Sequence, residues 1–184
     1  MIHLFLRGLV VVYVAVWCVA FSIAQPILAE DWPQWRGPQY DGTSRETNLP
    51  LTWTETSGVA WRCPLPEWGD STPAIWGDTI FVTTQVDDEK LLLIKISKPT
   101  GRIEWTRQVG TGATPYKALQ DKNGEQRRQQ WFHNSQNFAS PSPVTDGELV
   151  VVHFGNGDLA AYDFDGKQLW HHNLQDKKRT RCCR

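Results

Sequence analysis

Three kinds of side chain in this 184-residue chain are suited to chemistry, and their spacing decides what they can do. Besides one near the N-terminus, the histidines are His133, His153, His171 and His172. The adjacent pair His171-His172 could suggest a metal chelate, but neighbours on a strand point to opposite faces and cannot hold one ion together. Histidines here are expected at the solvent or at the rim of the fold. The acidic run Asp87-Asp88-Glu89 falls where a charged turn between strands is expected. The cysteines are Cys18, Cys63 and the adjacent Cys182-Cys183, which do not read as a disulfide framework. The glycines of "GTGATPYK" (residues 110–117) open no strand-loop-helix, so no phosphate loop is expected there. None of these residues reaches the specificity of a catalytic, cofactor or metal site, and none is assigned one.

The pattern that does recur is structural. "DFDGKQLW" (residues 163–170) sets an Asp-Gly turn four residues before Trp170, and "KPTGRIEW" (residues 98–105) sets Thr100-Gly101 before Trp105. Upstream, "TPAIWGDTIFVTT" aligns with "SPVTDGELVVVHF" at an offset of 70, placing Pro73 on Pro143 and Gly77 on Gly147. Gly101 and Trp105 align with Gly166 and Trp170 at an offset of 65, so the first copy is five residues longer. Self-similarity on this scale predicts a repeat architecture. Each copy spells four short strands. The first covers residues 74–76, or 144–145, and ends at Gly-Asp or Asp-Gly, dipeptides that tolerate the positive φ of tight hairpins. The second, residues 80–84 or 149–154, is a continuous apolar run expected for a strand covered on both faces. The third covers residues 92–96 or 159–162, and the fourth carries the tryptophan. Four strands in about 40 residues predict a propeller blade.

A four-stranded sheet cannot bury both faces alone, so each blade must pack on its neighbours. An indole aimed by the preceding turn can dock there, and burying a side chain of this size contributes on the order of 2–3 kcal/mol. Gly101, Trp105, Asp163, Gly166 and Trp170 are therefore read as blade-docking residues, with no chemistry required. Residues 30–176 are the expected propeller segment, with repeats at about 71–109 and 139–174 and an inserted loop at about 110–137. That insertion, with Arg127-Arg128, projects from one face and is the first stretch to test for a partner. "WPQWRG" places Trp32 and Trp35 where they would seal the first blade.

Charge and hydropathy divide the chain further. Residues 1–29 hold one cation, Arg7, then an apolar run from 8 to 24 and small residues, the order of an export signal. Ala24 and Ala29 are candidate last residues of that signal; an uncleaved anchor is the alternative. Residues 177–184, "KKRTRCCR", carry five of the 19 basic side chains. Residues 30–176 hold 13 of them against all 20 acidic ones, which gives no electrostatic reason to expect nucleic-acid binding.

Ala161, Asp163, Gly166 and Trp170, with Thr100, Gly101 and Trp105, resemble the β-propeller repeat named for pyrroloquinoline quinone (PQQ), Ala-x-Asp-x-x-Thr-Gly-x-x-x-Trp with a residue sometimes deleted. The first copy departs from it at Lys95 and Ser97. "DWPQWRGPQYDGTS", "VAWRCPLP" and "HNSQNFASPSPVTDGELVVVHFGNG" are similar to a bacterial exported subgroup of PQQ-like repeat proteins. The resemblance implies an all-β fold, a partial β-propeller. At about 40 residues per blade, residues 30–184 supply roughly three units. The abrupt basic, non-homologous tail (177–184) is expected of a truncated member, with unidentified proteins or the missing blades as partners; a naturally short protein with a basic tail, one that assembles into rings, is the alternative.

The resemblance implies two functional kinds. One resembles the propeller subunit of the outer-membrane β-barrel assembly machinery, which holds other proteins and needs no cofactor. The other, the PQQ-dependent quinoprotein dehydrogenases, oxidises alcohols or sugars with PQQ and a divalent metal such as calcium. These enzymes set a vicinal disulfide against the quinone; Cys182-Cys183 is adjacent but lies in the basic tail with no repeat following. The expectation is an exported, periplasmic or envelope-bound, protein-binding or scaffold module with no cofactor. The alternative is a piece of a quinoprotein dehydrogenase. Membrane contact is expected only through the signal or an uncleaved anchor.

Overall fold

The computed structural model describes residues 29–87, 90–112 and 137–174. The expected signal (all but Ala29), Cys18, Asp88, Glu89, most of the expected insertion with Arg127, Arg128 and His133, and the basic tail with Cys182 and Cys183 lie outside the described residues.

The described residues form strands and no helix. They make two antiparallel four-stranded sheets, each with its strands in sequence order. The first holds β1 (Ala74–Trp76), β2 (Thr79–Val86), β3 (Lys90–Ser97) and β4 (Ile103–Gly110). The second holds β5 (Val144–Thr145), β6 (Leu149–His153), β7 (Asp158–Asp163) and β8 (Gln168–Asn173). This is the all-β, partial-propeller architecture that the repeat pattern predicts. Residues 29–73 add no sheet of their own. They pair at one bridge, Trp32 with Ile75, where each backbone N–H donates to the other's carbonyl at 2.9 and 2.8 Å. Two four-stranded units are therefore described, against the roughly three that length alone suggests.

The repeats agree in register as well as order. Lys95 faces Trp105 across the β3–β4 ladder, and Ala161 faces Trp170 across β7–β8. A bulge follows each pair: Glu104 is the extra residue in β4 and Leu169 in β8. Such a bulge adds local twist and re-aims the tryptophan beside it.

Alternation along the strands then gives each sheet two faces. Phe81, Leu91, Leu93 and Val109 on one face of the first sheet meet Val150, Val152, Ala160 and Tyr162 of the second, with Phe138, Ala139 and Phe154 completing the cluster. The opposite face of the first sheet carries Val82, Leu92, Ile94 and Ile96, and on it lie Trp61 and Cys63. The continuous apolar runs of β2 and β3 are thus covered on both sides, which is why they do not alternate.

Polar bonds fix the irregular segments. The Asp31 carboxylate accepts from Gly77 N at 2.7 Å, and Pro33 O accepts from Thr145 N at 2.9 Å, so one stretch ties β1 to β5. Trp32 lies against Gly37, whereas Trp35 is 62% exposed with the Arg36 guanidinium 5.5 Å from its ring. Trp35 therefore does not seal a blade, contrary to expectation, because its turn carries it away from both clusters.

Candidate functional site

The five residues singled out by the repeat gather at two kinds of place: the turns closing each sheet's last hairpin, and the strands facing the next sheet. Gly101 and Gly166 hold φ of 69° and 81°, which a Cβ would strain. In the second copy the Asp163 carboxylate accepts from Asp165 N and Lys167 N at 3.1 and 2.8 Å, organising the turn. The first copy has Ser97 in that place, and Thr100 Oγ1 donates to its hydroxyl at 2.9 Å. The two turns differ by one residue and by their polar chemistry, yet each ends at a glycine of positive φ.

Trp105 projects from β4 onto the second sheet. Its indole N–H donates to Phe164 O at 3.0 Å, and its ring lies 5.9 Å from Phe81. Lys95 Nζ, ion-paired to Glu104 at 2.9 Å, donates to the same Phe164 carbonyl at 3.0 Å. The Arg107 guanidinium stacks 5.2 Å from the Trp105 ring and donates from Nε to Gly166 O at 2.6 Å. An indole, an ammonium and a guanidinium on the first sheet thus grip one turn of the second.

The same contact occurs one step earlier in the chain, where the repeat spacing does not point. Trp61 Nε1 donates to Lys98 O at 2.7 Å, and its ring fills the space where a Cβ on Gly101 would stand. With the deleted residue allowed for, Lys98 is the counterpart of Phe164. Trp61 escapes a search for Gly-x-x-x-Trp because Gly58 precedes it by three residues, not four.

Trp170 takes the position of Trp105 on the last strand, but among the described residues no further sheet packs on it. It is 37% exposed, and His172 stacks on it at 5.5 Å, as Arg107 does on Trp105. Leu169 and Val144 are also exposed, while Val151 and Leu159 are half-buried. This is the second sheet's outer face, and its pattern matches the face that the first sheet buries.

The remaining candidates are placed as follows. His153 is exposed, and Asp87 is an exposed turn residue with φ of 47°. His171 and His172 do diverge: His171 Nε2 lies 3.1 Å from Asp158 Oδ1, on the side away from His172. Asp158, 6% exposed, is the one buried carboxylate among the described residues, and the sequence reading missed it. It accepts also from Asn173 and Asn156 at 3.0 and 2.8 Å, and Asn156 reaches on to Thr111 O at 2.9 Å. Such a satisfied buried network holds position; here it holds the end of β4 against the second sheet. "GNGD" reads as a turn, and only its location makes the aspartate buried.

Among the described residues no three His, Cys, Asp or Glu side chains converge to hold a metal ion. No helix among them is long and apolar enough to cross a membrane.

A search of curated proteins finds no significant match. A family profile described as "Outer membrane protein assembly factor BamB" matches residues 43–183, a range that takes in both sheets and most of the basic tail. With two successive four-stranded sheets docked through the repeat's own tryptophan, this chain belongs to the PQQ-like repeat family.

Proposed function

We propose that this protein is an exported protein-binding or scaffold module of the cell envelope, acting without catalysis or cofactor, with the outer face of its second sheet as a docking surface. The observation that carries this is the pairing of Trp105 with Trp170. On the first sheet, Trp105, Lys95 and Arg107 are all spent on gripping a neighbouring sheet's turn. On the second, the equivalent indole is 37% exposed on a face that no further described sheet packs against, beside exposed Leu169 and Val144. Amphipathic aromatics of this kind anchor protein interfaces, where the ring buries area and the N–H finds an acceptor. The family's description as an outer membrane protein assembly factor supports an envelope location and a protein partner.

The test uses a photo-crosslinking residue at Leu169 in the chain expressed through its own N-terminal segment. Adducts to envelope proteins, lost on Trp170→Ala, are the expected result. A cytoplasmic location would overturn the proposal, and oxidation of alcohols or glucose by the purified chain with added PQQ, calcium and a dye acceptor would overturn it in favour of the dehydrogenase reading.

A further inference from the structure

The two indole contacts define one kind of joint with a donor and an acceptor. The donor is a tryptophan with a cationic or imidazole side chain stacked on it: Trp105 with Arg107, and Trp170 with His172. The acceptor is a turn carbonyl beside a glycine of positive φ: Phe164 with Gly166, and Lys98 with Gly101. The joint between the sheets uses the Trp105 donor and the Phe164–Gly166 acceptor. One donor, Trp170, and one acceptor, the Lys98–Gly101 turn, remain.

They are left in different states. Trp170, with His172 stacked on it, meets no further sheet among the described residues, while the Lys98–Gly101 acceptor is filled by Trp61. The segment that delivers Trp61 differs from every other donor. Residues 59–65 belong to no strand and pair with no sheet edge among the described residues. Trp61 and Cys63, resting on Val82, Leu92, Ile94 and Ile96, hold that segment to the first sheet. Its arginine, Arg62, bonds back to Glu55 O at 2.9 Å within its own loop. A donor carried by a full sheet, like Trp105, brings a whole apolar face with it; this one brings two side chains.

We infer that residues 59–63 form an intramolecular plug in the acceptor of the first sheet, and that the occupant it competes with is the Trp170 face of a second copy of this chain. The fit is that of the joint already formed within the chain. Leu149, Val151, Leu159 and Trp170 would meet Ile80, Val82, Leu92, Ile94 and Ile96, as one sheet's outer face meets the next sheet's inner face now. With one donor and one acceptor left among the described residues the contact is heterologous, so copies joined this way repeat head to tail and either close into a ring or run on. Trp61 gates that assembly by occupying the acceptor. The inference rests on reading the Trp170 face as a docking surface, and adds what it docks to and what limits it.

Sedimentation velocity on the full chain, expressed through its own N-terminal segment, tests this across a wide concentration range. Trp61→Ala empties the acceptor and is expected to self-associate at a concentration at least about tenfold below that of the unsubstituted chain, a shift of ~1.4 kcal/mol. Trp61→Phe keeps a ring in place and removes the N–H donor, and is expected to shift association in the same direction by roughly tenfold or less. Adding Trp170→Ala to either must abolish the shift. Cys63 supplies a second readout that needs no substitution at Trp61. Its thiol leaves the Val82–Ile96 cluster when the plug is displaced, so its labelling rate, located by peptide mass, rises with protein concentration in the unsubstituted chain and not in Trp170→Ala. The inference is overturned if Trp61→Phe sediments like the unsubstituted chain and Cys63 labelling ignores concentration, or if association survives loss of Trp170. Leu169 adducts to other envelope proteins, obtained alongside either of those results, would leave the proposed function standing and remove only the plug.

Discussion

At the scale of single residues, the same amino acid in the same repeat position has two different energetic roles. Trp105 is half-buried, packs on Phe81 and donates to Phe164 O. Trp170 stands at the matching ladder position, 37% exposed, with His172 stacked on it and no further described sheet against it. Trp105→Ala is therefore expected to destabilise the chain by roughly 2–4 kcal/mol, somewhat under the range for a fully buried tryptophan. Trp170→Ala in the monomer should change stability by only about 0.5 kcal/mol, as at other uncovered surface positions. Urea unfolding midpoints of the two variants check this directly. Equal losses would mean that the repeat tryptophan stabilises its own sheet and not the joint. The position of both indoles was legible from the Gly-x-x-x-Trp spacing, because a turn and a strand set it locally. Trp61 was not, since its spacing is one residue short and its acceptor lies 37 residues along the chain.

At the scale of elements, the hairpins were legible because their turns announce themselves. β1 and β5 run over the residues expected from the Gly-Asp and Asp-Gly signals, and Gly77 and Gly147 adopt φ of 54° and 93°. The longer strands were read short. β2 continues through Gln85 to Val86, where the Gln85 amide accepts from Phe138 N at 2.8 Å, a polar ending that a search for apolar runs passes over. The β5–β6 turn also carries a titratable bond. The Asp146 carboxylate accepts from Leu149 N and Glu148 N, both at 3.0 Å, and these bonds hold its pKa below the usual carboxylate value of 3.8. A lowered folded-state pKa contributes stability that is present above the unfolded value and fades as pH falls through the folded one. Asp41 and Glu30 are lowered in the same way, by bonds from Thr43 and from Arg45 and Ser44. Stability should thus decline below the ordinary carboxylate range. Asp146→Asn, whose amide oxygen can still accept both N–H groups, should flatten part of that decline while Asp146→Ala lowers stability at neutral pH. Thermal midpoints at neutral and acid pH for the three proteins test it; an unchanged acid limb in Asp146→Asn would exclude the turn as a source.

At the scale of the whole molecule, the two sheets share one core. Leu93 from the first and Val152 from the second are both fully buried in it. Leu93→Ala is expected to cost about 2–5 kcal/mol, and Val152→Ala, with less volume removed, less than that. Both should move a single transition, because each removes packing from the cluster the sheets hold in common. Tryptophan fluorescence and far-ultraviolet circular dichroism measured together are the check. If either variant splits the transition, the sheets unfold as separate units.

Read as a sequence, this chain determined its strands, its tight turns, its repeat and one of its two docked indoles, Trp105. Each depends on side-chain period and backbone preference over a few neighbouring residues. The tertiary structure alone decided that β2 and β3 are covered on one side by a second sheet and on the other by an unpaired segment. It also decided that Asp158 lies buried in a network reaching Thr111, and that Lys98 and Phe164 are acceptors of one kind. These facts rest on bonds between residues 37, 45 and 59 positions apart. No local preference encodes such a distance; it is set when the sheets bury their faces against each other.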